Sequence, residues 1–201
     1  MQLNDKKKFE CLKHDRYFFQ EYSILPLRKK DMQSIRKWRN DQIDVLRQNQ
    51  FLTEEDQIKY FNTVIRRTYD EKEPECMLFS LMLKNTCIGY GGLTNIDWIS
   101  KSAEISFVLD TNQIMESKVY RKHFLAFLNM IISLIFVELE FNHLFTETYD
   151  IRPLHIKILE EVGFKLEGRF KKHVYIKGSY VDSLIHGFLK DDYAKKQKNI
   201  H

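Results

Sequence analysis

An α+β domain on a central mixed, mostly antiparallel sheet is the fold class this sequence predicts. Three observations carry it. From Ser102 to Asp110 the residues alternate, with Ala103, Ile105, Phe107 and Leu109 on one face and Glu104, Ser106 and Val108 on the other. That alternation marks a strand with one buried face. From about Glu116 to Leu139 a helical pattern is apolar almost all round, broken only by Asn129 and Ser133 on one face, so protein must cover most of its sides. Leu144–Tyr149 then reads as the next strand, and strand, helix, strand with a short return predicts a parallel pair. Such a unit offers a ligand site beyond the carboxyl end of its first strand, where the helix start suits a phosphate.

The other elements follow in order. Residues 1–16 read as a flexible polar leader. Tyr17 to Leu27 reads as a strand. Asp31 is the expected N-cap of a short helix through Met32, Ile35 and Trp38, stopped by Asn40-Asp41. The segment from Asp41 to Leu52 reads as an exposed loop. Thr53-Glu54-Glu55-Asp56 is close to a capping box and opens a helix ending near Arg67. Met77–Leu83 and Ile88–Thr94 form an antiparallel pair around Asn85-Thr86, the glycines of the second strand suggesting a bulge or a close backbone approach. After Tyr149 a helix from Leu154 to Val162 ends at Gly163. Two long strands, Phe164–Tyr175 and Tyr180–Leu189, make a hairpin around Lys177-Gly178-Ser179. The count is about seven strands and about four helices in one domain over residues 17–190, with a charged, frayed tail over 191–201.

With 201 residues, 43% of them hydrophobic, the chain supports a substantial core. A net charge of +4 suits an anionic ligand but is too small and dispersed to indicate nucleic acid as a partner. Three cysteines without a CxxC pair argue against a disulfide framework or a zinc site and fit the cytoplasm. No metal is expected. Met1–Lys8 lacks the apolar core of an export signal, and the apolar helix run is too short to span a bilayer, so no membrane partner is expected. A homodimer is allowed.

The element order β-α-α-β-β-β-α-β-α-β-β resembles that of the GNAT acyl-CoA N-acyltransferase superfamily. The run Leu159-Glu160-Glu161-Val162-Gly163-Phe164-Lys165-Leu166-Glu167-Gly168 resembles the ribosomal-protein-alanine acetyltransferase-like branch, and so do His173 and Gly178–Asp182. Trp38-Arg39-Asn40-Asp41 resembles a segment of amino-sugar acetyltransferases, including the pseudaminic-acid pathway enzyme. The resemblance implies a GNAT fold with the parallel pair at the cofactor site and acetyl-CoA as the acyl-donor cosubstrate. It also implies a departure. The usual Arg/Gln-x-x-Gly-x-Gly/Ala pyrophosphate loop is replaced by Asp110–His123, which holds no glycine. Either the basic side chains Lys118, Arg121 and Lys122 take over some of its contacts, or the cofactor site is weak or lost.

The resemblance places a general base at Glu104, with a solvent-facing strand glutamate as the alternative and Glu147 as a weaker second base. His155 is a general acid or base, or a histidine packed at the start of its helix. Phe107, Val108 and Leu109 offer backbone groups to a pantetheine arm. Arg39, Asn40 and Arg47 would suit a nucleotide diphosphate or an acidic peptide, with surface ion pairing and helix capping as alternatives. Trp98 and Tyr90 stack a sugar or base, or belong to the core. The implied activity is N-acetyl transfer to a primary amine, first that of a small-molecule acceptor, a nucleotide-linked amino sugar. A protein N-terminus is the second acceptor, and an inactive GNAT-fold binding module is the third reading.

Overall fold

The computed structural model of the chain describes residues 8–198. Its sheet has eight strands, one more than expected, because the first expected strand is a hairpin. β1 (Tyr17–Phe19) and β2 (Tyr22–Pro26) turn at Gln20, whose φ is 53°. Then come β3 (Met77–Leu83), β4 (Thr86–Asp97), β5 (Ser102–Leu109), β6 (His143–Tyr149), β7 (Lys165–Ile176) and β8 (Ser179–Leu189). They lie in the order β1-β2-β3-β4-β5-β6-β8-β7. Every neighbouring pair is antiparallel except β5 and β6.

The helices are α1 (Met32–Asp41), α2 (Glu54–Tyr60), α3 (Arg66–Thr68), α4 (Ser117–Ser133), α5 (Pro153–Val162) and α6 (Lys190–Lys198). A π-helical turn, Phe61–Ile65, joins α2 to α3, so the expected helix over this stretch is one broken element. The Thr53 hydroxyl and the Asp56 carboxylate close the capping box at its start. Asp31 does not cap α1. It sits just before the helix, 6% exposed, and its carboxylate accepts from the Arg28 guanidinium and the Ser80 hydroxyl.

α4 and its π-helical extension Leu134–Glu138 make a 22-residue helix, long and apolar enough to cross a membrane; its 18-residue apolar window has a mean hydropathy of 1.3 and is 67% buried in the fold. Phe124, Phe127, Ile131 and Ile135 face the core, and Asn129, Ser133 and Val137 form the exposed stripe. The burial that an all-apolar helix demands is met here by the sheet and by α5.

The two ends of the chain correct the sequence reading. Residues 1–7 and 199–201 lie outside the described residues. Within the expected leader, Phe9 and Leu12 are buried, Phe9 edge-on to Tyr69 with ring centroids 5.0 Å apart. Two apolar residues nine-tenths or more buried anchor this segment. In the expected tail, 190–198 form α6, with the Tyr193 ring on Phe136 and Lys196 Nζ donating to the last carbonyls of α5.

The close approach suggested by the β4 glycines is real at Gly91. A Cβ there would lie 2.2 Å from the Ser106 carbonyl oxygen and 2.7 Å from Phe127 Cζ. Gly91→Ala is therefore expected to force β4 away from β5 and α4, costing about 2 kcal/mol or more. Urea unfolding checks this; an unchanged midpoint would contradict the packing described.

Candidate active site

β5 and β6 run side by side only at their beginnings. Ser102, Ala103 and Glu104 pair with His143, Leu144 and Phe145, and there the ladder stops. β5 continues to Leu109 and β6 to Tyr149. β6 stays paired with β8 along its whole length, and β5 with β4. Meanwhile Phe107 is drawn onto α4, its ring 4.8 Å from that of Phe124 and 4.6 Å from that of Phe127. The two strands therefore separate toward their carboxyl ends.

Backbone direction decides what faces the opening. The Asp110 N–H donates to the Ile88 carbonyl at 2.8 Å, so Asp110 is turned toward β4. Successive residues of a strand alternate in direction. Val108 therefore spends its backbone groups on β4, and Phe107 and Leu109 turn theirs into the gap. Of the three expected backbone sites, Val108 is corrected and the other two stand at the opening. The Leu109 carbonyl accepts at 2.8 Å from Nε2 of Gln42, a buried residue just beyond α1. Gln42 escaped the sequence reading because a lone glutamine after a helix carries no spacing signal.

The far end of the gap is the start of α4. Asp110 accepts from the Asn112 N–H, and Thr111–Gln113 form a single 3₁₀ turn in place of a glycine loop. Met115 is 85% exposed, so it does not fill the gap. Glu116 makes no side-chain cap, and the first intrahelical bond is Tyr120 N–H to Glu116 O at 2.9 Å. The N–H groups of Ser117, Lys118 and Val119 thus have no intrahelical acceptor. Of the basic residues expected here, Lys118 is exposed and has no ion pair among the described residues. Arg121 and Lys122 are corrections: Arg121 is paired with Glu161 of α5, and Lys122 with Glu21 at 2.7 Å.

The opposite face of β5 carries the charges. Glu104 is only 2% exposed, so it is not a solvent-facing strand residue. One carboxylate oxygen accepts from Arg47, the other from Asn95 Nδ2 at 2.6 Å. The same Arg47 guanidinium donates to Glu147 Oε2 at 3.3 Å. His173 Nδ1 lies 3.3 Å from the other Glu147 oxygen and 2.8 Å from Ser183 Oγ. Serine and glutamate approach the same ring nitrogen, and Ser183 is fully buried, so this is not a nucleophile–base–acid relay. Asn95, Ser183 and His173 were not expected at the site; strand pairing across β4, β6, β8 and β7 brings them in.

Arg39, Asn40 and Trp98 are corrected as acceptor contacts. Arg39 donates to Tyr90 Oη at 2.6 Å and to Gln48 Oε1 at 2.9 Å. Asn40 bonds both the N–H and the carbonyl of Leu52 at 2.9 Å. Together they fold the loop that presents Arg47. Tyr90 is a buried residue holding Arg39. Trp98 lies between β4 and β5 at the opposite end of β5 from Leu109, donating to the Pro74 carbonyl at 2.9 Å and packing edge-on against Phe141.

His155 takes the packed position. Its ring stacks on Phe124 at 4.3 Å, and Nδ1 lies 2.6 Å from Tyr120 Oη; that hydroxyl accepts from Arg152 at 3.3 Å. Tyr120 and His155 join the starts of α4 and α5. Burial, together with Arg152 and His186, holds the His155 imidazole well below its ordinary value. The unfolded chain protonates this ring near pH 6.5 while the folded protein does not, so stability falls as pH drops below about 6.5. His155→Gln is expected to remove up to about 1.4 kcal/mol per pH unit of that decline between pH 6.5 and 5. Urea unfolding at several pH values checks this; identical slopes for both proteins would contradict a neutral buried ring.

An acetyltransferase (GNAT) domain model matches residues 24–185. The chain is 23% identical over 103 residues to the SPbeta prophage-derived uncharacterized N-acetyltransferase YokL of Bacillus subtilis strain 168. That segment is 51% of this chain and 56% of the relative, so the match spans little more than half of either. The fold is similar to SpeG, a spermidine/spermine N-acetyltransferase from Vibrio cholerae, with a TM-score of 0.74 at 18% identity, covering 89% of this chain and 99% of that one. It is also similar to the ribosomal-protein-S5-alanine acetyltransferase from Vibrio fischeri, with a TM-score of 0.70 at 20% identity, covering 89% and 98%. The matched domain takes in β5, β6, α4 and both carboxylates of the gap, and the chain belongs to the GNAT acetyltransferase domain family.

Proposed function

We propose that the protein is an acetyl-CoA-dependent N-acetyltransferase acting on a primary amine. One observation carries this reading: the β5–β6 ladder ends at Glu104 and Phe145, leaving Phe107 and Leu109 backbone groups turned into a gap that leads to an uncapped helix start. The residues fit acetyl-CoA. The Phe107 backbone and the Leu109 N–H would pair with its amide-bearing arm, and Ser117, Lys118 and Val119 would meet its phosphates with N–H groups, a positive dipole end and the Lys118 ammonium. The last contact set stands in for the missing glycine loop.

Bound acetyl-CoA supplies a thioester carbonyl; the reaction forms a C–N bond and breaks the C–S bond. The acceptor ammonium first gives one proton to solvent, and the attacking nitrogen loses a second as the C–N bond forms. Glu104, buried on the acceptor face at the point where the strands part, is the base that takes it up. The Tyr120 hydroxyl, paired with His155 across the two helix starts, is the donor to the leaving thiolate. Glu147 holds the acceptor.

The resemblance at Trp38–Asp41 points to a nucleotide-linked amino sugar. A diphosphate needs free cations, yet Arg39 is engaged and Arg47 already bridges two carboxylates. The acidic lining favours a cationic amine, and a Vibrio cholerae neighbour of TM-score 0.72 is described in complex with CoA and spermine. A cationic amine is therefore our first acceptor class and the nucleotide-linked sugar the second.

Calorimetric titration with acetyl-CoA is expected to show one-site binding; no heat from a folded protein would overturn the enzyme reading. Turnover of a panel of polyamines, nucleotide-linked amino sugars and N-terminal peptides assigns the acceptor, and acetylation of sugars alone would overturn our order. Glu104→Gln is expected to lower kcat by about 10²-fold or more with acetyl-CoA affinity retained, and Tyr120→Phe by about tenfold or more. Full turnover in either variant would remove that residue from its role.

A further inference from the structure

Arg47 reaches the acceptor face from the loop between α1 and α2, with half of its side chain exposed. Its two terminal nitrogens touch two acids on two different strands, Glu104 at 2% side-chain exposure and Glu147 at 13%. A half-exposed cation that bridges one buried and one partly buried acid at the mouth of a binding gap occupies the place where a cationic ligand would go. The loop on either side of it is fixed independently, by Asn40 and Arg39 through Gln48 and Leu52 and by Lys177 on Asp44 at 2.8 Å. The fold therefore holds the loop without needing the Arg47 side chain as a strut.

The hydrogen bonding at Glu147 is incomplete. Oε2 accepts from Arg47, but Oε1 is buried and accepts no hydrogen bond among the described residues; His173 Nδ1 lies 3.3 Å from it and is engaged with Ser183 Oγ at 2.8 Å. A buried acceptor without a donor is costly and uncommon. An ammonium, with three N–H donors, would serve Oε1 where the planar guanidinium leaves it unserved.

We propose that Arg47 is an internal stand-in for the acceptor's charge, displaced from Glu104 and Glu147 by an amine carrying at least one positive charge besides the reacting nitrogen. The charge count sets that number. Arg47 brings one positive charge to the two carboxylates, so an amine that displaces it must bring at least one to Glu147 while the reacting nitrogen stands at Glu104. The reacting nitrogen is neutral at attack, so it contributes nothing to the balance. Arg47 thus sets a threshold: monoamines do not dislodge it, and diamines and longer do. This deepens the acetyltransferase reading and rests on it only for the identity of the site.

The test separates binding from turnover. Calorimetry with spermidine and with butylamine, with and without CoA, compares the unaltered chain with Arg47→Gln, Arg47→Lys and Glu147→Gln, each first checked by thermal unfolding. Spermidine is expected to bind Arg47→Gln about tenfold tighter or more, Arg47→Lys little changed, and Glu147→Gln about tenfold weaker. Butylamine is expected to gain less than threefold in any variant. Weaker or unchanged spermidine binding in Arg47→Gln would overturn the proposal, and so would an equal gain for butylamine. These outcomes are read without acetyl transfer. Absence of turnover with the binding pattern intact would count against the enzyme reading alone.

Discussion

Two parallel strands that begin paired and then part must leave main-chain groups without a strand partner, and unpaired amides seek something to bond. In this fold β6 is held by β8 from His143 to Tyr149, and β5 by β4 up to Leu109, while Phe107 is stacked on α4. Neither strand is free to close the gap. The opening is therefore a property of the packing on both sides, and the functional groups follow from it. Glu104 stands at the last paired position, Glu147 two residues beyond the last paired residue of β6, and the helices that start at the two carboxyl ends meet through Tyr120 and His155.

The fold was legible because its signals are local and periodic. Alternation gave β5, all-round apolarity gave α4, the capping box gave α2, and Gly163 ended α5. The π-helical turns at Phe61 and Leu134 were not legible, since one extra residue in a turn leaves no mark on an apolar pattern. The packing of Phe9 was missed because one aromatic in a charged stretch weighs little until a pocket is known to receive it.

The site was legible only in part. Glu104 and Glu147 could be named from their strands, but their burial and their shared arginine could not. Lys122 illustrates why: it sits in the expected basic cluster, yet its ion-pair partner is Glu21, 101 positions away on the β1–β2 turn. Trp98 failed for a similar reason, since an aromatic beside a strand gives no sign of which end of the sheet it occupies. The resemblance at Trp38–Asp41 located a segment that matters, though its Arg39 and Asn40 shape the loop that presents Arg47.

Backbone amide NMR during a CoA titration tests the open gap most directly. The account predicts the largest shift changes at the Phe107 and Leu109 amides and over Ser117–Tyr120, with Ser106 and Val108 less affected because β4 holds their N–H groups. Saturating CoA that leaves Phe107, Leu109 and the start of α4 unmoved would contradict it.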